Sequence, residues 1–258
     1  MGCEHRRALT TTSPECEELV TRALLLDVDD TLVDTRSAMV AAGEAAVAEL
    51  WPQAGAEVQH AAAVRFHGDP SGFFGRFTTG EMTFAQMRQA RVADLQQSFS
   101  LAAVDEVSRR FEDAYGPAFS ANLRLFDDVL PLVEAASTAG IPMGLLTNSS
   151  SYYTQLKLET TGLTGVFAVV ATRDTLGFGK PDARAFHHAC RLLGSASPQT
   201  IYVGDHIEID AIAAKDAGLC AVWLQRDARD TQGAARARAC GIPVVTSLSQ
   251  VPALLDDH

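Results

Sequence analysis

From about residue 120 onward, short apolar runs alternate with stretches of helical periodicity. PMGLLTNS, VFAVVATRD, QTIYVGD, CAVWLQR and IPVVTSL are the apolar runs. DDVLPLVEAASTAG, SYYTQLKLETTGL, DARAFHHACRLLG and IDAIAAKDAG lie between them. This alternation predicts a parallel, doubly wound sheet, because joining parallel strands needs crossovers, and helical crossovers cover the sheet faces. Gly140, Gly162, Gly194 and Gly218 fall where those helices would end. One further strand is predicted over 23–28, ahead of a long helical block. MVAAGEAAVAEL, TFAQMRQARVADL and VDEVSRRFEDAY place apolar residues at helical spacing, and HGDPSGFFGRFTTGEM reads as a loop carrying aromatic side chains. The expected fold class is therefore α/β. A Rossmann-like core would span 21–36 and 121–258, with an α-helical domain inserted over 37–120 and a polar lead-in over 1–20.

The 258 residues carry 32 acidic and 21 basic side chains, a formal net charge of -11. Nucleic-acid and membrane-surface binders are usually basic, so neither partner is expected. No apolar run approaches the roughly 20 residues of a membrane-spanning helix. The first residues lack both the apolar stretch of a secretory signal and a myristoylation pattern, since Arg6 stands at the sixth position. Five scattered cysteines without a CxxC pair fit reduced thiols in a cytoplasmic protein, with Cys190 and Cys220 as buried, inert groups. The composition is compatible with either a monomer or a homodimer.

In doubly wound sheets, ligands bind outside the carboxyl ends of the strands. The residues expected there are Asp27-Val28-Asp29-Asp30-Thr31, Thr147-Asn148-Ser149 and Gly204-Asp205-His206-Ile207-Glu208-Ile209-Asp210, with Gly177-Phe178-Gly179-Lys180-Pro181-Asp182 between the last two. Clustered carboxylates repel one another unless a cation offsets them. A phosphomonoester reaction needs a nucleophile, an acid for the leaving oxygen and cations that balance the transferred charge. Asp27 is the candidate nucleophile, and Asp29 the candidate acid and later base. Mg²⁺, which prefers oxygen ligands, is the expected cofactor, held directly by Asp27 and Asp205 with Asp210 farther out and Glu208 a weaker candidate for that outer place. Thr147 would donate its hydroxyl to phosphoryl oxygens beside the Asn148 backbone amide. Lys180 would act as a point charge between phosphate and Asp27.

Taken together, DVDDT, LLTNSS, GKPD and GDHIEID resemble, in order and spacing, the four motifs of the haloacid dehalogenase superfamily over roughly residues 20–230. The insertion point after DVDDT is similar to that of the superfamily's helical-cap class. That class includes phosphoglycolate-type phosphatases, nucleotidases, sugar-phosphate phosphatases and 2-haloacid dehalogenases. The resemblance implies a Mg²⁺-dependent phosphatase for a small phosphorylated metabolite and makes the backbone carbonyl of Asp29 a third metal ligand. A dehalogenase would need neither Asp29 nor Asp205, a phosphomutase would reuse the aspartyl-phosphate, and a non-catalytic relative would have lost one of these groups. Phosphoglycolate, sugar phosphates, nucleoside monophosphates and acidic sugar 9-phosphates all remain open as substrates.

Around this set, Asp30 and Asp34 read as turn formers and His206 as a solvated or hydrogen-bonded histidine. His187 and His188 read as packing or surface groups, and Asp127 and Asp128 as acids suited to a helix N-terminus. In the inserted block, Phe73, Phe74, Arg76 and Phe77 are candidates for closing over a substrate, and Arg88 for reaching an anionic group, unless the aromatics pack the block's own core. Flanking loops near 35–38 and 116–122 are the expected hinges for opening and closing.

Overall fold

The computed structural model describes residues 23–256. The lead-in over 1–20, Cys3 and Cys16 lie outside these residues. The sheet is six-stranded, parallel throughout, and ordered β3-β2-β1-β4-β5-β6. Its strands are β1 (Ala23–Leu26), β2 (Met143–Thr147), β3 (Val169–Thr172), β4 (Thr200–Gly204), β5 (Cys220–Leu224) and β6 (Val244–Val245). Five helices follow β1: α1 (Thr35–Leu50), α2 (Ala56–Gly68), α3 (Phe73–Thr78), α4 (Phe84–Ser98) and α5 (Val107–Asn122). The rest cover the sheet: α6 (Val129–Thr138), α7 (Ser151–Thr161), α8 (Arg173–Leu176), α9 (Ala183–Leu193), α10 (Ala213–Asp216), α11 (Thr231–Ala239) and α12 (Val251–Asp256).

β1 is buried on both faces, as its unbroken leucine run requires. Successive residues serve opposite layers: Leu24 and Leu26 join the core under α1, α5 and α6, whereas Leu25 packs with Leu146, Phe186 and Tyr202 on the other face. The chain lays β2 and β3 to one side of β1 and then returns to place β4 on the other. The strand order thus reverses between β1 and β4, the position where such sheets open a crevice.

α1 packs against both α2 and α5. Its contact with α2 is close because Gly43 has no side chain: a Cβ there would lie 2.9 Å from Ala63 Cβ. Phe66, Phe111, Tyr115 and Phe119 stack through the middle of the helical block. Gly140, Gly162, Gly194 and Gly218 all adopt the left-handed φ expected after helix ends. No helix of the described residues is long and apolar enough to cross a membrane.

Several expectations change. The first strand stops at Leu26 rather than residue 28, because Val28 turns back to accept backbone hydrogen bonds from Leu32 and Val33. The proposed aromatic loop contains α3, whose first amides are held by the Asp69 carboxylate. Residues 35–38 and 116–122 are helical rather than hinge loops. Asp34 caps α1 by accepting from Ser37 N at 3.1 Å, and α5 runs through Pro117 to Asn122. Asp128 precedes α6, but its carboxylate does not cap that helix. It forms a fork with Arg226 (2.8 and 2.9 Å) and accepts from Ser247 Oγ and Leu248 N. Cys190 is buried as expected, whereas Cys220 is only half-buried, beside the backbone of Pro198.

Candidate active site

Asp27 follows β1 directly, and its amide donates to Val203 O on β4. Its carboxylate is buried and accepts from Lys180 Nζ at 2.6 Å. Burial pushes the Asp27 carboxyl up to about 7, with the charges of Asp210 and Asp29 adding to the rise and Lys180 opposing it. Asp205 stands at the matching place after β4 and is pushed up to about 8, by burial first and then by Asp27, Asp210 and Asp30. One carboxylate oxygen from each of Asp27, Asp205 and Asp210 lies within 4.8 Å of the other two. Three hard oxygen donors so close, two of them pushed up by burial and by one another's charge, suit a divalent ion such as Mg²⁺.

Lys180 is the counter-charge already in place. Its buried ammonium donates to Asp27 Oδ1 (2.6 Å), Asp210 Oδ1 (2.6 Å) and Tyr202 OH (2.9 Å). Burial works against its charge, but Asp210 and Asp27 outweigh burial and hold it firmly protonated. Asn148 fixes the lysine's backbone: its Oδ1 accepts from Lys180 N and its Nδ2 donates to Lys180 O, both at 2.8 Å. Gly179 is needed for this clasp, since a Cβ there would lie 2.4 Å from Asn148 Oδ1. Thr147, at the end of β2, is buried and accepts from Ser149 N at 3.0 Å.

Asp210 is fully engaged: besides Lys180, it accepts from Tyr202 OH (2.8 Å) and His206 N (3.0 Å). A wide turn over Ile207–Ile212 aims it back beneath β4. Here Glu208 departs from its expected place: it is exposed and paired with Arg236 at 3.0 Å, outside the cluster. His206 is a local cap, its Nδ1 accepting from Ile209 N at 3.2 Å. His187 is exposed and bonds Ala217 O, and His188 is half-buried beside Arg191.

Asp29 sits beyond β1 in the mouth of the crevice. Its Oδ1 accepts from Thr35 Oγ1 at 2.7 Å and from Lys157 Nζ. Burial draws the Asp29 carboxyl upward, but the charge and hydrogen bond of Lys157 prevail and hold it below the usual carboxylate range. Lys157, Tyr202 and Thr35 were not singled out by sequence. A signal for Lys157 existed: with Thr154 and Leu158 it forms the buried i, i+3, i+4 stripe of α7.

The helical block meets the core through aromatic contacts. Phe77 packs on Phe84, which packs on Tyr153 of α7, and Arg173 donates to Thr78 O at 2.6 Å beneath the Phe77 ring. Phe74 is exposed, and Arg76 is exposed beside Glu81. Arg88 departs from its expected role. It is buried between the rings of Phe66 and Tyr115 and forks onto Glu112 at 2.7 and 3.0 Å, so it braces the helices instead of facing the crevice. A cavity of about 550 Å³ lies beside Asp205, with Asp30, Arg36, Phe126 and His206 in its wall.

Residues 21–218 match the family model of the haloacid dehalogenase-like hydrolases. The chain belongs to this family. As a haloacid dehalogenase-like hydrolase it is similar to a phosphoglycolate phosphatase of Thiobacillus denitrificans, 30% identical over 203 residues that cover 78% of this chain and 82% of the relative. A plasmid-borne phosphoglycolate phosphatase of Cupriavidus necator is 29% identical over 237 residues, covering 90% and 92% of the two chains. Among solved structures, the magnesium-bound HAD-hydrolase YfnB of Bacillus subtilis superposes with a TM-score of 0.73 at 21% identity, over 92% of this hydrolase and 99% of YfnB. The L-2-haloacid dehalogenase PA0810 reaches 0.70 at 23% identity, over 92% and 100%. At these identities the superpositions speak for the fold alone.

Proposed function

We propose that this haloacid dehalogenase-like hydrolase is a Mg²⁺-dependent phosphatase that cleaves a small phosphorylated metabolite through an aspartyl-phosphate on Asp27. The observation that carries this reading is the gathering of Asp27, Asp205, Asp210 and Lys180 into one cluster, with a fourth carboxylate, Asp29, beside them. Asp27, Asp205 and the Asp29 carbonyl would hold the metal, with Asp210 behind. Bound there, it would neutralise charge on the acidic cluster and on the transferring phosphoryl group.

An Asp27 oxygen attacks phosphorus, and the bond from phosphorus to the leaving oxygen breaks with its electron pair. Asp29 gives that oxygen a proton, taken up as the negative phosphoryl group beside it raises its carboxyl against the pull of Lys157. Asp29 then takes a proton from water, whose oxygen attacks the phosphoryl group and releases phosphate from Asp27. Thr147 and the Asn148 amide bind phosphoryl oxygens, and Lys180 balances their charge. Asp29 and Asp205 also weigh against haloacid hydrolysis, which needs neither a leaving-group acid nor a metal.

We assign the core to 21–36 and 121–258, and a specificity cap to 37–120. An acidic leaving group is favoured by the names of the relatives and by Arg36. This arginine lines the cavity beside Asp205, and its nearest carboxylate, Asp30, is 4.0 Å away. The test is phosphate release from phosphoglycolate, sugar phosphates, nucleoside monophosphates and an aryl phosphate, with Mg²⁺, with chelator, and with Asp27→Asn. Metal-dependent turnover that vanishes in the variant is expected. No release from any ester by folded, Mg²⁺-supplied enzyme would overturn the reading.

A further inference from the structure

Arg173 opens α8 on the core, yet its guanidinium ends in the helical block, 95 residues away in sequence. It donates to Thr78 O at 2.6 Å and lies over the Phe77 ring, 5.4 Å from the ring centre. Thr78 is the last residue of α3, and the final carbonyls of a helix find no partner within it. Arg173 supplies a donor to one of them.

This bond has no counterpart. Residues 37–120 are joined to the core through α1 and α5, where the chain itself crosses. Away from those two helices, no other hydrogen bond or ion pair connects the block to the core among the described residues. Phe84 and Phe119 pack their rings on Tyr153 nearby, but rings in contact supply no directional bond. A hydrogen bond weakens steeply when its angle is lost. Arg173 is therefore the contact that fixes where α3 sits on the core.

The other end of the side chain bears on the turn that carries Lys180. A Cβ at Gly179 would lie 3.7 Å from Arg173 Cγ, so the arginine's shaft runs alongside that glycine. Gly179 immediately precedes Lys180 and faces the same Asn148 side chain that clasps the lysine's backbone. The helix that carries Arg173 is itself braced, because Asp174 accepts from Ser151 N at 2.7 Å where α7 begins. One side chain thus spans from the Lys180 turn to the end of α3.

We infer that Arg173 is a positioning residue that couples the cap to Lys180: its guanidinium docks α3 on the core, and its shaft holds the Gly179–Lys180 turn. The inference rests on the phosphatase reading above and adds to it a residue outside the four motifs.

The test measures kcat and KM of Arg173→Met and Arg173→Ala on the best ester of the panel above, with folded enzyme quantified by circular dichroism. Methionine keeps the shaft and deletes the guanidinium. A hydrogen bond from a charged group is worth roughly tenfold in an equilibrium, so the docked fraction of the cap should fall and KM should rise by about that factor. KM does not depend on how much of the variant is folded. Saturating substrate restores docking, so kcat should stay within about twofold. Alanine removes the shaft as well. Its KM should rise equally, and its kcat should fall roughly tenfold, because the Lys180 turn loses its support. Hydrogen exchange without substrate should quicken in α3 in both variants and stay unchanged in β1 and β4. An unchanged KM in Arg173→Met, or unchanged exchange in α3, would overturn the docking role. Equal kcat in the two variants would overturn the link to Lys180. Each of these results leaves the phosphatase reading intact, whereas a wild-type enzyme that hydrolyses no ester would overturn both.

Discussion

Replacing Lys180 by methionine keeps the buried stem and deletes the ammonium. The variant loses the three hydrogen bonds that the ammonium makes, at 2.6, 2.6 and 2.9 Å. It leaves Asp27, Asp205 and Asp210 crowded together with no fixed cation among them. Removing one partner from a buried ion pair costs about 3–5 kcal/mol, because the remaining charge stays desolvated. At about 2–4 °C per kcal/mol for a chain of this size, the melting temperature should fall by roughly 6–20 °C in metal-free buffer near pH 8. The fall should be smaller near pH 5.5, where Asp27 and Asp205, already raised to about 7 and about 8, hold protons and leave less charge to balance. Circular dichroism melts at the two pH values make the comparison. A shift of less than about 2 °C near pH 8, or an equal shift at both, would refute the argument that Lys180 offsets a buried acidic cluster.

Two further predictions follow from the same cluster. Gly204→Ala places a Cβ 2.5 Å from Asp210 Cγ, and Asp210 is pinned by Lys180, Tyr202 and the His206 amide. Overpacking of about 1–3 kcal/mol is expected, with reduced turnover, checked by melting and phosphate release, and a neutral variant would contradict this account. Metal dependence should also follow pH. Because folding raises the Asp27 and Asp205 carboxyls above their ordinary values, the stability they confer on the metal-free protein is complete below about pH 4 and is lost as pH rises through about 7 to 8. Stabilisation by added Mg²⁺, read as a melting shift, should therefore grow from acid to mildly alkaline pH; a shift that is flat, or larger in acid, would contradict it.

The parallel core and the strand-end cluster were legible because they rest on local signals. Apolar runs such as LLL mark buried strands, and three of the four motifs directly follow a strand, Lys180 alone coming after the short helix α8. What the sequence hid depends on partners brought together by the fold. Lys157 finds Asp29 across 128 residues, Arg226 takes Asp128 across 98, and Arg88 takes Glu112 from a neighbouring helix. An arginine on a helix reads the same whether it faces a crevice or a buried glutamate. Glu208 was misplaced for a geometric reason: the wide turn after His206 directs Asp210 inward and leaves Glu208 facing α11. α3 escaped notice because its six residues, three of them Phe with Gly75 and Thr78, have weak helix propensity, and its first turn depends on the Asp69 carboxylate.

The central claim is that Asp27 becomes phosphorylated. The most direct measurement mixes Mg²⁺-loaded enzyme with a hydrolysed ester, quenches in acid within one turnover, and weighs the intact protein and its peptides. The account predicts a protein heavier by one phosphoryl group, located on the peptide that contains Asp27 and absent from Asp27→Asn. Rapid phosphate release with no phosphorylated protein at any quench time would contradict it and point to direct attack by water.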